Sequence, residues 1–257
     1  IPFRAYFDAP QTKDGRVLNA IETGALYDEK LQPKDFFAGI IGLAQKGFIS
    51  IYETDKKWEL KREKNSTKST SIVGVESIVY DSLFGTSDLV KMEDLKLATL
   101  FATVKKEVYE TLTKEAVFVK NPDKIRTLYF GLIGLATMTI NIPLVFSAAI
   151  FGLQMPRKTW FGAKEMLKLK GLKNFLTSQE RQINYQGDKQ LLFERLLPYA
   201  IALGVEKQWT ERFKDLSLVA PEWYHSNRPF TTAHFASSMS RGSTSFRAVA
   251  TPTRSSS

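Results

Sequence analysis

The chain has 257 residues, of which 43% are hydrophobic and 25% charged, a globular balance compatible with one large domain or two or three small ones. The absence of cysteine excludes disulfides, thiolate catalysis and Cys-based metal sites, and suits a reducing compartment; histidines are limited to His225 and His234. The net charge is +9, but residues 120–257 hold 19 basic against 9 acidic residues, so the excess accompanies an uncharged run and not an N-terminal recognition module.

Residues 1–17 mix Pro, Gly and polar side chains and are expected to form an extended lead-in. The chain begins at Ile1, so a fragment or processed form is expected, with any earlier signal or domain out of view. Over 18–64 the punctuation is clear. Leu18–Leu26 predicts a short helix. Pro33 opens a second helix with Asp35 near its positive end, Phe36, Phe37, Ile40, Ile41, Leu43 and Ala44 fall at helical spacing, and Gly47 stops it. "FISIYE" and "KKWELKRE" then alternate apolar and polar residues around a turn, a β-hairpin. Helix, turn, helix and hairpin make a winged-helix-like layout. The near-neutral charge of this module favours packing or protein contact over DNA, since phosphate attraction supplies most DNA affinity.

"NSTKSTS" (65–71) is a polar linker, and 72–120 predicts a helical module: an apolar-periodic helix from Val73 to Phe84, a break at "GTSD", a short segment, then a long amphipathic helix with Leu97, Leu100, Phe101, Val104, Val108 and Leu112 on one face. "NP" at 121–122 ends it.

Residues 127–156 are read as a membrane segment. Leu128–Met155 is 28 residues without a charge, in a chain whose mean hydropathy is −0.20. One continuous helix of that length is about 42 Å long, against roughly 30 Å of hydrocarbon, so a single tilted span fits. Asn141-Ile142-Pro143 at its middle favours the other arrangement, a short hairpin of half-helices dipping into one leaflet. A buried core helix of a soluble domain is the third reading. Lys124, Arg126 and Tyr129 before the run, and Arg157, Lys158, Trp160, Lys164 and Lys168 after it, are the expected membrane-interface residues; positive charge on both sides places both ends on the cytoplasmic face.

Residues 157–230 predict a basic amphipathic and helical region. "FGAKEMLKLKGLKNFL" carries Phe161, Met166, Leu169, Leu172, Phe175 and Leu176 between lysines, broken at Gly171, and is expected to lie along the lipid surface. In "LLFERLLPYAIALGVEKQW", Pro198 bends or starts a helix and Gly204 punctuates it, and "APEWYHSNRPF" is an aromatic-rich turn. Residues 237–257 contain 11 Ser or Thr among 21 and are expected to be a disordered tail.

No motif for catalysis or cofactor binding occurs: no P-loop, no G-x-G-x-x-G, no H-E-x-x-H and no G-x-S-x-G. His225 and His234, nine apart without an acid cluster, are read as surface or turn histidines. No catalytic residue, cofactor or metal site is expected, and the uncharged run lacks the ionisable groups of a transport pathway.

"PKDFFAGIIGLAQKGFISI", "MPRKTWFGAKEMLKLKGLKNFL" and above all "LPYAIALGVEKQW" (Leu197–Trp209) resemble the C-terminal half of the YciQ-like predicted membrane proteins, an uncharacterised family. The resemblance covers most of 18–257. It implies an extracytoplasmic β-rich domain, a membrane helix and then this cytoplasmic half, interrupted by a membrane hairpin; it supplies no catalytic residue. The family has room for two full spans where this chain has 28 residues.

The expectation is therefore a mainly α protein with a small β-hairpin: a winged-helix-like N-terminal module, a helical membrane segment and a helical C-terminal region. It is a non-enzymatic scaffold or protein-interaction module at the cytoplasmic face of the cell membrane. Its partners are the lipid bilayer and another protein or a second copy of itself, without nucleic acid. The alternative is a membrane-tethered nucleic-acid-binding regulator whose 34–46 helix faces DNA.

Overall fold

A computed structural model describes residues 9–55, 57–63, 72–95, 97–154, 158–178, 186–213, 216 and 218–250. In chain order these form α1 (Ala20–Asp28), α2 (Pro33–Gln45), β1 (Ile49–Thr54), β2 (Lys57–Arg62), α3 (Val75–Phe84), β3 (Leu89–Lys91), a 3₁₀ turn (Met92–Asp94) and α4 (Leu97–Lys114). Next come α5 (Pro122–Met138), α6 (Ile142–Gln154), α7 (Trp160–Thr177), α8 (Gln186–Ala202), α9 (Glu206–Glu211), β4 (Tyr224–Ser226) and α10 (Thr232–Ala250). The class is mainly helical with one small mixed sheet.

The local signals act as their chemistry requires. Asn19 Oδ1 accepts the Glu22 N–H, and the Glu22 carboxylate accepts the Asn19 N–H, a capping box that starts α1. Pro33 occupies the first turn of α2. That helix ends where Gly47, at φ 80°, donates to Ala44 O while Phe48 donates to Leu43 O, the paired bonds of a Schellman motif. β1 and β2 then pair antiparallel, Ile51 opposite Leu60 and Glu53 opposite Trp58.

Long-range pairing adds what the hairpin lacks. The sheet order is β3-β2-β1-β4, with β4 parallel to β1, so a strand from the chain's last forty residues completes a sheet begun at residue 49. α2 packs against α1, α8 and α10, and none of its residues is exposed. A helix enclosed in this way presents no face to a duplex groove, which a recognition helix requires. The region does not stand apart as a winged-helix module: its core is continuous with Leu169, Phe193, Leu197, Trp209 and Phe246 from the far end of the chain.

Two expected peripheral segments are corrected. Residues 237–250 are not a disordered tail but most of α10; 251–257 lie outside the described residues. Phe235, Met239 and Phe246 are fully buried, and a Cβ at Gly242 would sit 2.7 Å from Phe37 and 2.9 Å from Trp58, so small residues here permit close packing. The apolar face of α7 is likewise not free to lie on lipid, because Leu169, Leu172, Phe175 and Leu176 are buried against protein, and the helix runs unbroken through Gly171.

α8 contains Pro198 in its interior. Proline removes the N–H that Glu194 O would accept, and the Gln45 side-chain amide of α2 donates to that carbonyl instead. The helix therefore continues through its proline at the place where α2 docks.

Asp35, in the first turn of α2, is fully buried with Oδ1 unbonded, Oδ2 accepting the Gln32 N–H at 2.7 Å and Lys34 Nζ 3.5 Å from Oδ1. Burial outweighs Lys34 and raises its pKa from 3.8 to about 7. The folded state thus retains a proton that the unfolded chain releases. The associated stability is fully present below about pH 4 and is lost as pH rises through about 7. Asp35→Asn, which mimics the protonated form, is expected to raise the melting temperature at pH 8 and flatten its dependence between pH 4 and 8. The upper bound is about 4 kcal/mol, from about 1.4 kcal/mol per pH unit. Parallel pH profiles for variant and parent contradict this assignment.

Candidate membrane-contact site

The uncharged run is not one helix. Among the described residues no helix is long and apolar enough to cross a membrane. α5 starts at Asn121, whose side chain accepts the Asp123 N–H at 2.9 Å, with Pro122 in the first turn. It ends in a Schellman motif: Asn141 N–H donates to Ala136 O at 2.9 Å and Ile140 N–H to Thr137 O at 3.1 Å. The left-handed position belongs to Ile140, at φ 53°, where a β-branched residue is strained. Asn141 Oδ1 accepts the Leu144 N–H at 3.1 Å and so caps α6, while Pro143 falls in the first turn, where its missing N–H is not needed. The chain reverses over 139–141 and α6 packs back on α5. The single tilted span is thereby overturned, because capping and proline chemistry at 139–143 ends one helix and begins another.

The hairpin presents apolar side chains to its surroundings. Leu128, Phe130, Leu135, Ile142, Phe146, Ile150 and Phe151 are exposed, and at the tip Met138 is 85% and Ile140 82% exposed. From 127 to 151 the buried residues are Ala136 and Ala148, small residues that let the two helices approach. It is therefore not the core helix of a soluble domain. The hydroxyls of Thr137, Thr139 and Ser147 each donate to a backbone carbonyl three or four residues earlier, so none depends on water. From Thr127 to Met138, and along α6, each arm is about 18–20 Å long, more than one leaflet's hydrocarbon and less than two.

A neck closes the base. Phe118 and Lys158 pair as an antiparallel bridge, Thr159 N–H donates to Val117 O at 3.0 Å, and Thr159 Oγ1 donates to Ala116 O at 2.6 Å. Gly162 lies so close that a Cβ there would be 2.1 Å from Val117 O. The segments entering and leaving the hairpin are thus fastened together on the same side.

Beside the neck is a cleft of 850 Å³ between the end of α1 and the hairpin, lined by Tyr27, Glu29, Lys30, Arg126, Tyr129 and Ala149 among others. Its charges pair across it. Arg126 donates to Glu29 O at 2.7 Å and approaches Asp123 at 3.4 Å, Lys105 pairs with Asp123, and Lys158 pairs with Glu29 at 2.6 Å.

The residues expected at the interface therefore divide. Lys124 and Lys164 are exposed on the first turns of α5 and α7, and Trp160 is 90% exposed. Arg126, Lys158 and half-buried Tyr129 line the cleft, while Lys168 pairs with Glu165 at 2.6 Å. Arg157 lies outside the described residues. Glu29 carries no mark in the sequence, since it lies 97 residues from Arg126, whereas Asp123 lies one helical turn before it. His225 stacks on Tyr52, with ring centroids 4.6 Å apart, and His234 lies on α10; no cluster of three metal-ligating side chains occurs among the described residues.

Residues 127–213 match the family model of the C-terminal domain of a predicted membrane protein, DUF2207. The DUF2207 match starts at Thr127, directly after Arg126, the last charged residue before the uncharged run, and ends at Phe213, which packs on Phe193 and Trp209. It thus takes in the hairpin with α7, α8 and α9, whose core faces continue into α1 and α2 outside the match. None of the curated proteins and none of the solved structures matches the chain.

Proposed function

We propose that the α5–α6 hairpin enters one leaflet of the cell membrane from the cytoplasmic side and holds the helical body against that face. There the body serves as a non-enzymatic scaffold or interaction module for another protein or a second copy of itself. The observation that carries this reading is the exposed, uncharged hairpin whose hydroxyls are bonded internally. In water each large exposed apolar side chain forgoes about 1.5–3 kcal/mol that burial returns. In hydrocarbon the same surface is matched to its solvent. The match to a predicted membrane protein domain supports the location, and the lysines beside the neck support the side.

The chain has no cysteine, so a single introduced thiol reports cleanly. In vesicles, Ile140→Cys is expected to resist a membrane-impermeant maleimide until detergent is added, whereas Lys91→Cys reacts at once. The parent is expected to float with vesicles through a high-salt wash, since salt screens surface attraction but not insertion. Full labelling of Ile140→Cys, or release of the parent by salt as a monodisperse detergent-free protein, rules the insertion out. In spheroplasts, Lys91→Cys is expected to react only after lysis; earlier reaction reverses the side.

A further inference from the structure

On a different face of α5 from the paired cleft lies a second hollow of 570 Å³, between the C-terminal end of α4, residues 119–121 and the first turns of α5. Its cations are Lys114, Lys120 and Lys124, all exposed, and none forms an ion pair among the described residues. Glu110 is the acidic group in its lining, which leaves an excess of positive charge. The first cleft differs, because three of its four cations, Lys105, Arg126 and Lys158, are already engaged by Asp123 and Glu29. Thr113 and Asn121 also line the hollow, and Val119, Ile125 and Leu128 form its apolar wall.

From Ile125 and Leu128 the same face of α5 continues through Leu132 and Leu135 at three- and four-residue steps, the last three exposed. The stripe runs about 15 Å toward the tip, one leaflet's depth of hydrocarbon. A phosphate-sized anion among three lysines, joined to a chain that follows a leucine stripe, has the shape and charge order of a phospholipid.

We infer that the hollow formed by Lys114, Lys120 and Lys124 seats the phosphate of an anionic phospholipid, one of whose acyl chains runs along Ile125, Leu128, Leu132 and Leu135. The inference rests on the leaflet insertion proposed above. The neck sets the hollow at headgroup level, where a basic side chain interacts most strongly with anionic lipid.

The test measures binding of the full chain to vesicles of phosphatidylcholine alone and of phosphatidylcholine with phosphatidylglycerol. The variant Lys114→Gln/Lys120→Gln/Lys124→Gln is compared with Lys13→Gln/Lys91→Gln/Lys207→Gln, three exposed lysines elsewhere. The hollow variant is expected to lose on the order of 100-fold in preference for anionic vesicles, about fivefold per lysine, while the control keeps it. Both are expected to retain the parent's binding to neutral vesicles and its melting temperature. An equal loss in the control means diffuse surface charge and overturns the site. Binding of inorganic phosphate alone, measured without vesicles and lost in the hollow variant, reassigns the hollow to a soluble phosphate and overturns the lipid. A parent that ignores neutral vesicles but prefers anionic ones through these lysines leaves the site standing while insertion fails.

Discussion

A chain carrying Met138→Lys and Ile140→Lys is expected to stay in solution when mixed with vesicles that the parent binds. Both side chains stand at the hairpin tip, 85% and 82% exposed, so the replacements disturb almost no protein contact. At the depth reached by an arm of about 18–20 Å, each lysine opposes insertion by about 3 kcal/mol. Two together oppose it by about 6 kcal/mol, on the order of a 10⁴-fold loss of partition. The melting temperature in solution is expected to be unchanged, because the tip is held by backbone bonds at Ala136 and Thr137 and by the Asn141 cap, none of which uses these side chains. Ile140→Leu separates the apolar requirement from the left-handed conformation, and is expected to bind like the parent. Equal flotation of the double lysine variant and the parent removes the hairpin from membrane contact altogether.

Removing residues 237–257 is expected to abolish cooperative unfolding, an outcome opposite to that for a disordered tail. The deletion takes Met239 and Phe246, both fully buried, and uncovers Phe36, Phe37 and Trp58 at the centre of the molecule. Phe246 alone stacks on Phe36 at 5.1 Å and tilts against Phe37 at 6.3 Å. Phe246→Ala is therefore expected to lower stability by about 3–5 kcal/mol, as for other buried aromatic truncations, measured by denaturant unfolding. The truncation also strips a polar lock. Burial pushes the Glu53 carboxyl up, but hydrogen bonds with Ser238, Tyr224 and Arg241 outweigh it and hold its pKa below the ordinary value. Arg241 donates to Glu53 at 2.9 Å, and Tyr224 donates to its other oxygen. Without α10, Glu53 keeps Tyr224 but loses its cation, which leaves a buried charge uncompensated. A truncated chain that melts at the parent's temperature makes α10 dispensable.

Sequence periodicity and punctuation carried much of the fold. Pro33 and Gly47 bound α2 through the local conformation they impose, and the alternation over 49–62 folds into the hairpin it suggests. Asn141 and Pro143 break the uncharged run for the same local reason. The strands at 89–91 and 224–226 were not legible, because three residues hold too little pattern and are recruited by the edges of an existing hairpin. α10 was misread for a related reason. Its serines and glycine resemble a linker in composition, yet Ser238, Gly242 and Ser243 are small where helices must approach closely.

At the candidate site the division is the same. The order of residues alone settled that a stretch of 28 uncharged residues is punctuated at its middle and flanked by lysines, since hydropathy, capping and charge are properties of neighbours along the chain. The three-dimensional arrangement settled which of those lysines are free. Arg126 donates to the Glu29 carbonyl and lies beside Asp123, and Lys158 pairs with the Glu29 carboxylate, while Lys114, Lys120 and Lys124 form no ion pair among the described residues. Whether a charge finds its partner depends on which distant segments the core brings together, and Coulomb attraction acts on separation in space, not on separation in sequence.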